Sequence, residues 1–320
     1  MNPLNLIYTA LGWVLRQIYA LLGYISPLFQ NYALAILLFT ILINLILLPI
    51  NFNQQKTMAK QTALRPKLDL LKKKCNGDNQ KYNQEMQALY QRENVKMMGG
   101  CLPMLIRLPF LWGVWRAISN PLSHIIVVGS DVVDQAKEYL ISNVADFAGR
   151  QLAQVTELDV LHYLDELQTA MPDLYNKAAG YVNFDLFGID LTQMPKFTLN
   201  FSSLQPGQLA LWLIPLLSFA TAMLSSVMSM RMQKKTNPDA ASMGGLMLTM
   251  PLVSLVIAFT VPAAVGFYWA CSNVVIAVIQ YLLNKYYSPY SIIAKNEIAV
   301  VEALRKKEKE SQQKPDAQTA

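Results

Sequence analysis

The sequence predicts an all-α, polytopic membrane protein with a five-span helical core and a helical hairpin on the cytoplasmic side. Three observations support this fold class. Of the 320 residues, 53% are hydrophobic and only 15% are charged, whereas soluble domains average about 25% charged residues. Several apolar runs reach the length of about 20 residues that a helix needs to cross a bilayer. Basic and acidic residues are also sorted into different connecting segments.

The apolar runs predict five spans, at residues 32–50, 99–118, 209–230, 244–261 and 262–284. The last two derive from a run of 40 uncharged residues, which is too long for one crossing. Pro262 and Gly266 predict a tight turn inside that run, because proline ends a helix and glycine permits a sharp reversal.

The connecting segments predict the orientation. Residues 51–98 carry ten basic and four acidic side chains, and the linker 231–243 and the tail 285–320 also have a basic surplus. The loop 119–208 carries eleven acidic and four basic residues. Because basic loops remain in the cytoplasm, we expect the acidic loop outside, the N-terminus outside and the C-terminus inside the cell membrane.

The N-terminal segment, residues 1–31, predicts an amphipathic helix on the outer face of the membrane, which we prefer to a sixth span. Its apolar residues recur at helical spacing, at Leu4, Ile7, Leu11, Leu15, Ile18 and Leu22. Arg16 interrupts the apolar region and no small-residue cleavage site follows, which disfavours a cleaved signal peptide.

The segment 51–98 predicts two antiparallel helices joined at Asn76-Gly77. Each helix has one apolar seam, formed by Leu64, Leu68, Leu71 and Cys75 and by Tyr82, Met86 and Leu89. The candidate contact residues for ribosomal RNA, anionic lipid or an incoming chain are Lys67, Lys72, Lys73 and Lys74. A solvated hairpin that merely follows the charge rule explains these lysines equally well.

The second predicted span contains Arg107 in its interior and Arg116 near its outer end. Arg107 is six residues, about 9 Å, beyond Cys101 in the second span, and Asn44 is six residues from Ile50 at the inner end of the first. An arginine at the centre of a span costs about 2.5–3.5 kcal/mol, so it seldom faces lipid. The five predicted spans contain no Asp or Glu, so Arg107 has no counter-ion within them.

Two interpretations of Arg107 remain. It extends to the cytoplasmic headgroups, or it lines a hydrated recess open to the cytoplasm together with Asn44. The grouping of other polar residues in the inner halves of the spans favours the recess. These residues are Thr221, Ser225, Ser226, Ser272, Asn273 and Gln280. Singly, each Ser or Thr is more often a residue of helix packing.

The sequence predicts no metal site, cofactor or disulfide framework. Cys75, Cys101 and Cys271 fall in cytoplasmic or membrane positions, and His124 and His162 are isolated in the acidic loop. That loop predicts helices at 131–142 and 155–170, and the tail predicts a helix followed by disorder.

Three stretches together resemble one family, the YidC-type membrane protein insertases of the Oxa/Alb superfamily. They are GGCLPMLIRLPFLWGVW at 99–115, VPAAVGFYWACSNVVIAVIQYLL at 261–283, and LRPKLDLLKKK with YNQEMQALYQREN in the hairpin. The spacing of TILINLILLPI at 40–50 also fits the first core span of that family, and Trp269 is retained in the FYW motif.

The sequence departs from this family at two positions. The family usually has arginine where this chain has Asn44, and glutamine where it has Arg107; a further polar position of the family falls near Ser225. The resulting hypothesis is that Arg107 supplies the charge that Asn44 lacks. The candidate substrate groove then consists of Arg107, Asn44, Thr221, Ser225, Ser226, Trp269 and Asn273.

The resemblance implies a non-enzymatic insertase for nascent membrane proteins, acting alone or beside the Sec translocon, with possible ribosome docking. DNA is not an expected partner, and one chain suffices for the groove. A small-solute transporter or channel that binds anions at Arg107 is the alternative, although the sequence has no internal repeat of the kind that transporters show. A chaperone that only holds spans during assembly is a third possibility.

Overall fold

The computed structural model describes residues 3–93, 95, 102–197, 206–236 and 244–312, and about 80% of the structure is helical. Within these ranges, only the backbone is described for residues 3–4, 102–108, 206, 232–236, 244–248 and several positions after 295. The chain forms two compact units. The first comprises Met1–Leu47, Leu105–Arg231 and Ser242–Ala277, and the second comprises Leu48–Met104, Met232–Ala241 and Val278–Ala320.

The described α-helices are α1 Pro3–Ile25, α2 Tyr32–Ile46, α3 Leu48–Ala63, α4 Arg65–Cys75, α5 Asn79–Arg92, α6 Leu102–Ser119, α7 Ser130–Asn143, α8 Glu157–His162, α9 Pro172–Ala178, α10 Pro206–Leu211, α11 Leu213–Thr236, α12 Gly244–Ala258, α13 Ala263–Tyr286 and α14 Pro289–Gln312. Strands β1 Asp185–Leu186 and β2 Ile189–Asp190 form an antiparallel hairpin. A π-helical turn, Leu122–Ile126, follows α6. In the described ranges, short 3₁₀ turns lie at Pro27–Phe29, Ala145–Phe147, Leu152–Gln154 and Leu164–Leu167.

Three helical stretches of the described chain are long and apolar enough to cross a membrane, namely Asn5–Ile25, Gly207–Arg231 and Ala263–Lys295. The broken pair α2 and α3 is a fourth if it is counted as one span. The predicted spans 99–118 and 244–261 include residues whose side chains lie outside the described part. The count of five spans therefore stays a prediction.

Two boundaries differ from those expected. The first span was expected to continue to residue 50, but α2 ends at Ile46, and α3 runs from Leu48 to Ala63 across the expected start of the hairpin. A second break follows at Leu64, and Pro66 lies in the first turn of α4, where its missing N–H has no helical partner to lose. The uncharged run is divided at 259–262, between α12 and α13.

Helix α2 begins with a side-chain cap and has one fully buried face. Asn31 Oδ1 accepts the Ala33 N–H at 2.8 Å, which satisfies a donor that the first helical turn leaves unpaired. Tyr32, Ile36 and Phe39 are fully buried at helical spacing, and the Tyr32 hydroxyl donates to the carbonyl of Ile118 at 2.7 Å. These contacts join the start of α2 to the end of α6.

Helix α1 packs through one stripe of residues, Leu11, Leu15, Tyr19 and Leu22. Gly12 allows the π-helical turn to approach, because a Cβ there would lie 2.4 Å from the ring of His124. Burial, together with the charge of Arg116, lowers the pKa of His124 below its usual value, which favours the neutral ring beside α1.

Residues 120–197, which we call the acidic lobe, contribute many buried side chains to the hydrophobic core of the first unit. Its fully buried side chains include Leu140, Leu158, Leu167 and Leu191. Helix α8 begins with a capping box, in which Thr156 and Asp159 exchange side-chain and backbone hydrogen bonds. The expected helix at 155–170 is therefore shorter, ending at His162 before a 3₁₀ turn.

Backbone hydrogen bonds tie the acidic lobe to two helices of the same unit. The Tyr32 N–H at the start of α2 donates to the carbonyl of Asn183 at 2.8 Å. At the start of α13, the Ala264 N–H donates to Leu191 O at 2.9 Å and the Ala263 N–H to Gln193 O at 2.8 Å. Residues 183–193 therefore lie at the N-terminal ends of both helices.

The second unit contains two helix pairs. Helix α14 packs on α3, and the rings of Phe52 and Tyr287 meet edge to face at 5.1 Å. Helices α4 and α5 pack around a turn in which Asn76 has a φ of 48° and the side chain of Asp78 caps α5. The tail was expected to be a helix followed by disorder; α14 reaches Gln312, and residues 313–320 lie outside the described part.

Candidate functional site

Asn44 is buried and hydrogen-bonded to its own helix. Its Nδ2 donates to the carbonyl of Thr40 at 2.9 Å, and the hydroxyl of Thr40 donates to the carbonyl of Ile36 at 2.7 Å. The two side chains form a polar ladder along α2, with Thr40 fully buried and Asn44 only 9% exposed. One amide proton of Asn44 is thus used locally, while its carbonyl oxygen can still accept a hydrogen bond.

Asn273 connects the predicted third and fifth spans. Its Nδ2 lies 3.4 Å from the carbonyl oxygen of Ser218 and 3.4 Å from Oγ1 of Thr221. Thr221 lies eight residues into α11 and Asn273 ten residues into α13, about 12 and 15 Å from the helix starts. We call this contact the polar junction. It places an amide and a hydroxyl between two predominantly apolar helices.

The remaining residues predicted on these helices lie close to the polar junction in sequence. Ser225 and Ser226 are half-buried one turn after Thr221 on α11. Trp269 is half-buried one turn before Asn273 on α13 and packs against the hydrophobic core of the first unit. The polar junction therefore has an aromatic neighbour on one helix and hydroxyls on the other.

The backbone of Arg107 lies in α6, but its side chain lies outside the described residues. The hydrogen bond between Arg107 and Asn44 therefore stays a prediction. The two interpretations of Arg107, a hydrated recess and extension to the headgroups, both stay open. The chemistry that the described groups offer is hydrogen bonding by neutral amides and hydroxyls.

The predicted lysines of the hairpin have different surroundings. Lys67 pairs with Glu93 at the far end of α5, which shows that α4 and α5 run antiparallel. Lys72, Lys73 and Lys74 are exposed in the last turn of α4, where positive charge is favourable at the negative end of the helix dipole. Lys73 and Lys74 present their charge to solvent, and Lys67 shares its charge with a carboxylate.

Sequence reasoning missed two residues that hold the site together. Ser218 is almost fully buried and its carbonyl oxygen faces Asn273; Thr40 supplies the carbonyl that Asn44 binds. A signal was available in both cases. Ser218 lies three residues before Thr221, and Thr40 four before Asn44, and both spacings put side chains on one helix face.

A family model described as the 60Kd inner membrane protein matches residues 24–290, which is most of the chain. The chain belongs to this family, the YidC/Oxa family. The resemblance inferred from the second span, the last span and the hairpin is therefore confirmed. Together with the apolar helices, membership of the family shows that this is a multi-pass, membrane-integral protein.

Curated relatives match over shorter stretches. The membrane protein insertase YidC of Pseudoalteromonas atlantica is 36% identical over 114 residues, which are 35% of this chain and 21% of that protein. YidC of Nitratidesulfovibrio vulgaris is 36% identical over 111 residues, again 35% and 21%. YidC of Cellvibrio japonicus is 39% identical over 102 residues, 32% of this chain and 18% of that protein. The matched stretch spans about a fifth of each relative's length.

Proposed function

We propose that this protein is a membrane protein insertase, which receives nascent membrane proteins in a hydrated groove and releases their spans into lipid. The observation that carries the proposal is membership of the YidC/Oxa family over residues 24–290. The names of the curated relatives agree with it. The groove is formed by α2, α6, α11 and α13, and a single chain supplies all of them.

The polar junction supports a groove rather than a uniformly apolar bundle. When a hydrophilic tail crosses the membrane, each charge taken to the bilayer centre costs about 2.5–3.5 kcal/mol of free energy. Water that enters from the cytoplasm as far as Thr221 and Asn273 shortens this dry path. The hydroxyls and amides can bind the polypeptide backbone transiently, while the apolar residues of the arriving helix partition sideways into lipid.

Arg107 supplies the positive charge of the groove in this proposal. A fixed cation below the mid-membrane would attract the acidic residues of a tail that a substrate carries outward. Asn44, at the depth where the family usually has arginine, then provides hydrogen bonding alone. The membrane potential contributes a free energy of about 2.3 kcal/mol per elementary charge per 100 mV to the outward transfer of a negative tail.

The role of the positive charge at Arg107 is tested by removing it and then placing an arginine at Asn44. Arg107→Gln is expected to reduce insertion of a substrate with an acidic tail in proteoliposomes by tenfold or more, and Asn44→Arg in the same chain is expected to restore it. A substrate with an uncharged tail is expected to respond less. Arg116→Gln, on the same helix beside the ring of Tyr8, is the matched control for loss of a positive charge.

Three outcomes would contradict the proposal. Unchanged insertion by Arg107→Gln would show that this cation has no role in the groove. A double variant Arg107→Gln, Asn44→Arg that folds and integrates into the membrane yet fails to insert the substrate would show that an arginine on α2 cannot replace the arginine on α6. Uptake of small anions by the purified protein without any nascent chain would favour a transporter instead.

The orientation belongs to the same proposal. The basic segment α3–α5 faces the cytoplasm of a cell membrane and the acidic lobe faces outward, in accord with the charge rule. Helix α1 lies on the outer face in this proposal; its contacts with His124 and Asn183 involve residues beyond the predicted outer ends of the spans. Exposed Lys73 and Lys74 are available to a ribosome, and the Sec translocon is a further possible partner.

A further inference from the structure

The segment 183–193 lies at the level of the predicted outer membrane surface. Its carbonyls accept the N–H groups of Tyr32, Ala263 and Ala264, the first residues of two membrane helices. Asn31 Nδ2 also donates to the carbonyl of Asp185 at 2.6 Å. The β1–β2 hairpin is therefore fixed where α2 and α13 begin. Its position along the membrane normal is set by the positions of these two helix N-termini.

The tip of this hairpin exposes an aromatic side chain in a strained conformation. Phe187 is 98% exposed and has a φ of 53°, followed by Gly188 at 85°. Left-handed backbone is unusual for a bulky residue and costs roughly 1–2 kcal/mol. Neither burial within the chain nor backbone preference accounts for phenylalanine here. Strain of this kind at an exposed apolar residue points to a role in contact with something outside the fold.

Other apolar side chains lie near the predicted outer ends of the spans. The last turn of α1 exposes Tyr24, and the connection from α1 to α2 exposes Leu28 and Phe29. Leu28 is 86% exposed three residues before the capping residue Asn31. At the start of α11, the ring of Trp212 stacks on Phe197 at 5.7 Å and meets Phe259 edge to face at 5.3 Å. Aromatic side chains at the ends of spans are typical of the membrane–water interface.

We propose that Phe187 inserts into the outer leaflet of the bilayer and anchors the acidic lobe to the membrane surface. This inference rests on the outward placement of the lobe proposed above and goes beyond insertase activity. The occupant is lipid because the hairpin is hydrogen-bonded to Asn31, which follows the exposed apolar residues Leu28 and Phe29 within three positions. A single projecting ring is also too small for a stable protein interface, which buries about 800 Å² per partner.

The headgroups at this site are expected to be zwitterionic rather than anionic. Asp185 and Asp190 lie opposite each other at the base of the hairpin, and like charges at paired positions are unfavourable. Asp190 is held by His162 Nδ1 at 3.2 Å and by the hydroxyl of Thr192 at 2.7 Å. Asp185 keeps a negative charge beside the tip, which would repel an anionic surface.

The anchor is tested with a nitroxide spin label at position 187 of the full chain in phosphatidylcholine liposomes. The variant is Phe187→Cys, with Cys75, Cys101 and Cys271 replaced by alanine. Because Phe187 makes no buried contacts, the substitution leaves the core intact. Power saturation compares the accessibility of the label to oxygen, which concentrates in lipid, with that to a water-soluble nickel chelate.

The label at 187 is expected to be relaxed more by oxygen than by the nickel chelate. The matched control is Glu138→Cys on the exposed face of α7, where the order is expected to reverse. Equal nickel accessibility at 187 and 138 would overturn the anchor. Protection of position 187 from both relaxants would also overturn it, in favour of a second copy of the chain. Insertion of a substrate into the same liposomes reports separately on the proposed function.

Discussion

The acidic lobe and the α4–α5 pair are both built from short helices outside the predicted spans, yet they are stabilised differently. The lobe buries several leucines completely and also buries the carboxylate of Glu157. Among described residues 64–93, Leu64 and Cys75 are buried and the other seam residues are half-buried. The lobe is therefore packed into a core, whereas the α4–α5 pair has a seam closed by the ion pair Lys67–Glu93.

This difference indicates different tasks. A region with a core holds its shape and can carry features at fixed positions, such as the hairpin tip at Phe187. A pair of helices with a narrow seam opens at low free energy, and most of its lysines remain in solvent. The comparison suggests that the lobe positions groups at the membrane surface, while the α4–α5 pair supplies mobile positive charge.

The largest effect should come from a cavity in the lobe. Leu158→Ala is expected to destabilise the protein by about 2–5 kcal/mol, because the leucine is fully buried and the surrounding residues can collapse only in part. The control is Leu70→Ala in α4, where the side chain is 61% exposed and the expected change is below about 0.5 kcal/mol. Denaturant unfolding in detergent measures both. Similar losses would mean that the lobe and the pair are equally packed.

A smaller effect is expected at Glu157. Its carboxylate accepts the Ser123 N–H at 2.8 Å and also the Ser123 hydroxyl. Glu157→Ala leaves that buried N–H without an acceptor, which costs about 1–3 kcal/mol. Glu157→Gln keeps an acceptor oxygen and is expected to lose less. An alanine variant as stable as wild type would show that water replaces the carboxylate.

The pH dependence sharpens this prediction. Burial raises the pKa of Glu157 above 4.5, and the hydrogen bonds from Ser123 oppose this only in part. The folded state therefore holds the proton more tightly than the unfolded state, so stability should rise as the pH falls from neutral through the raised pKa towards 4.5. Hydrogen bonds from Lys196 and Tyr163 lower the pKa of Asp146, so its contribution is lost only below 3.8. Glu157→Gln should abolish the rise in stability between neutral pH and pH 4.5, because glutamine does not titrate.

The smallest effect is expected at the ion pair of the α4–α5 helices. Lys67 and Glu93 are partly exposed, so a double-mutant cycle with alanine at both positions should give a coupling of about 0.2–1 kcal/mol. Salt at 1 M should remove most of it, because the Debye length falls to about 3 Å. The cycle Lys196–Asp146 in the lobe, also exposed, provides the comparison. A salt-resistant coupling at Lys67 would indicate a more rigid pair than the seam suggests.

Much of the helical arrangement could be predicted because apolar runs and breaking residues act locally. The uncharged run divides near Pro262, and the turn at Asn76-Gly77 separates α4 from α5. The interruption at Leu47 was not predicted, since the apolar run continues through it. The acidic lobe was predicted only as helical stretches, because its fold depends on leucines that are distant in sequence.

The candidate site was predictable in composition and not in its contacts. Polar residues in apolar helices are visible in any sequence, and Thr221, Ser225, Ser226 and Asn273 were found in this way. The partner of each residue was not, because hydrogen bonds across helices depend on their rotation and depth. Asn44 illustrates this: its donor binds Thr40 on its own helix, a contact that the expected pairing with Arg107 did not include.

The sequence by itself determined that this chain belongs in a membrane, which stretches are helical and to which family it is related, because hydropathy, helix breakers and motifs are local properties of the chain. Only the tertiary structure decided that Asn273 meets Thr221, that the leucines of the lobe are buried in the core of the first unit, and that Phe187 stands at the level where α2 and α13 begin. Those contacts join residues 52 to more than 150 positions apart. Their geometry comes from packing, which no local pattern encodes.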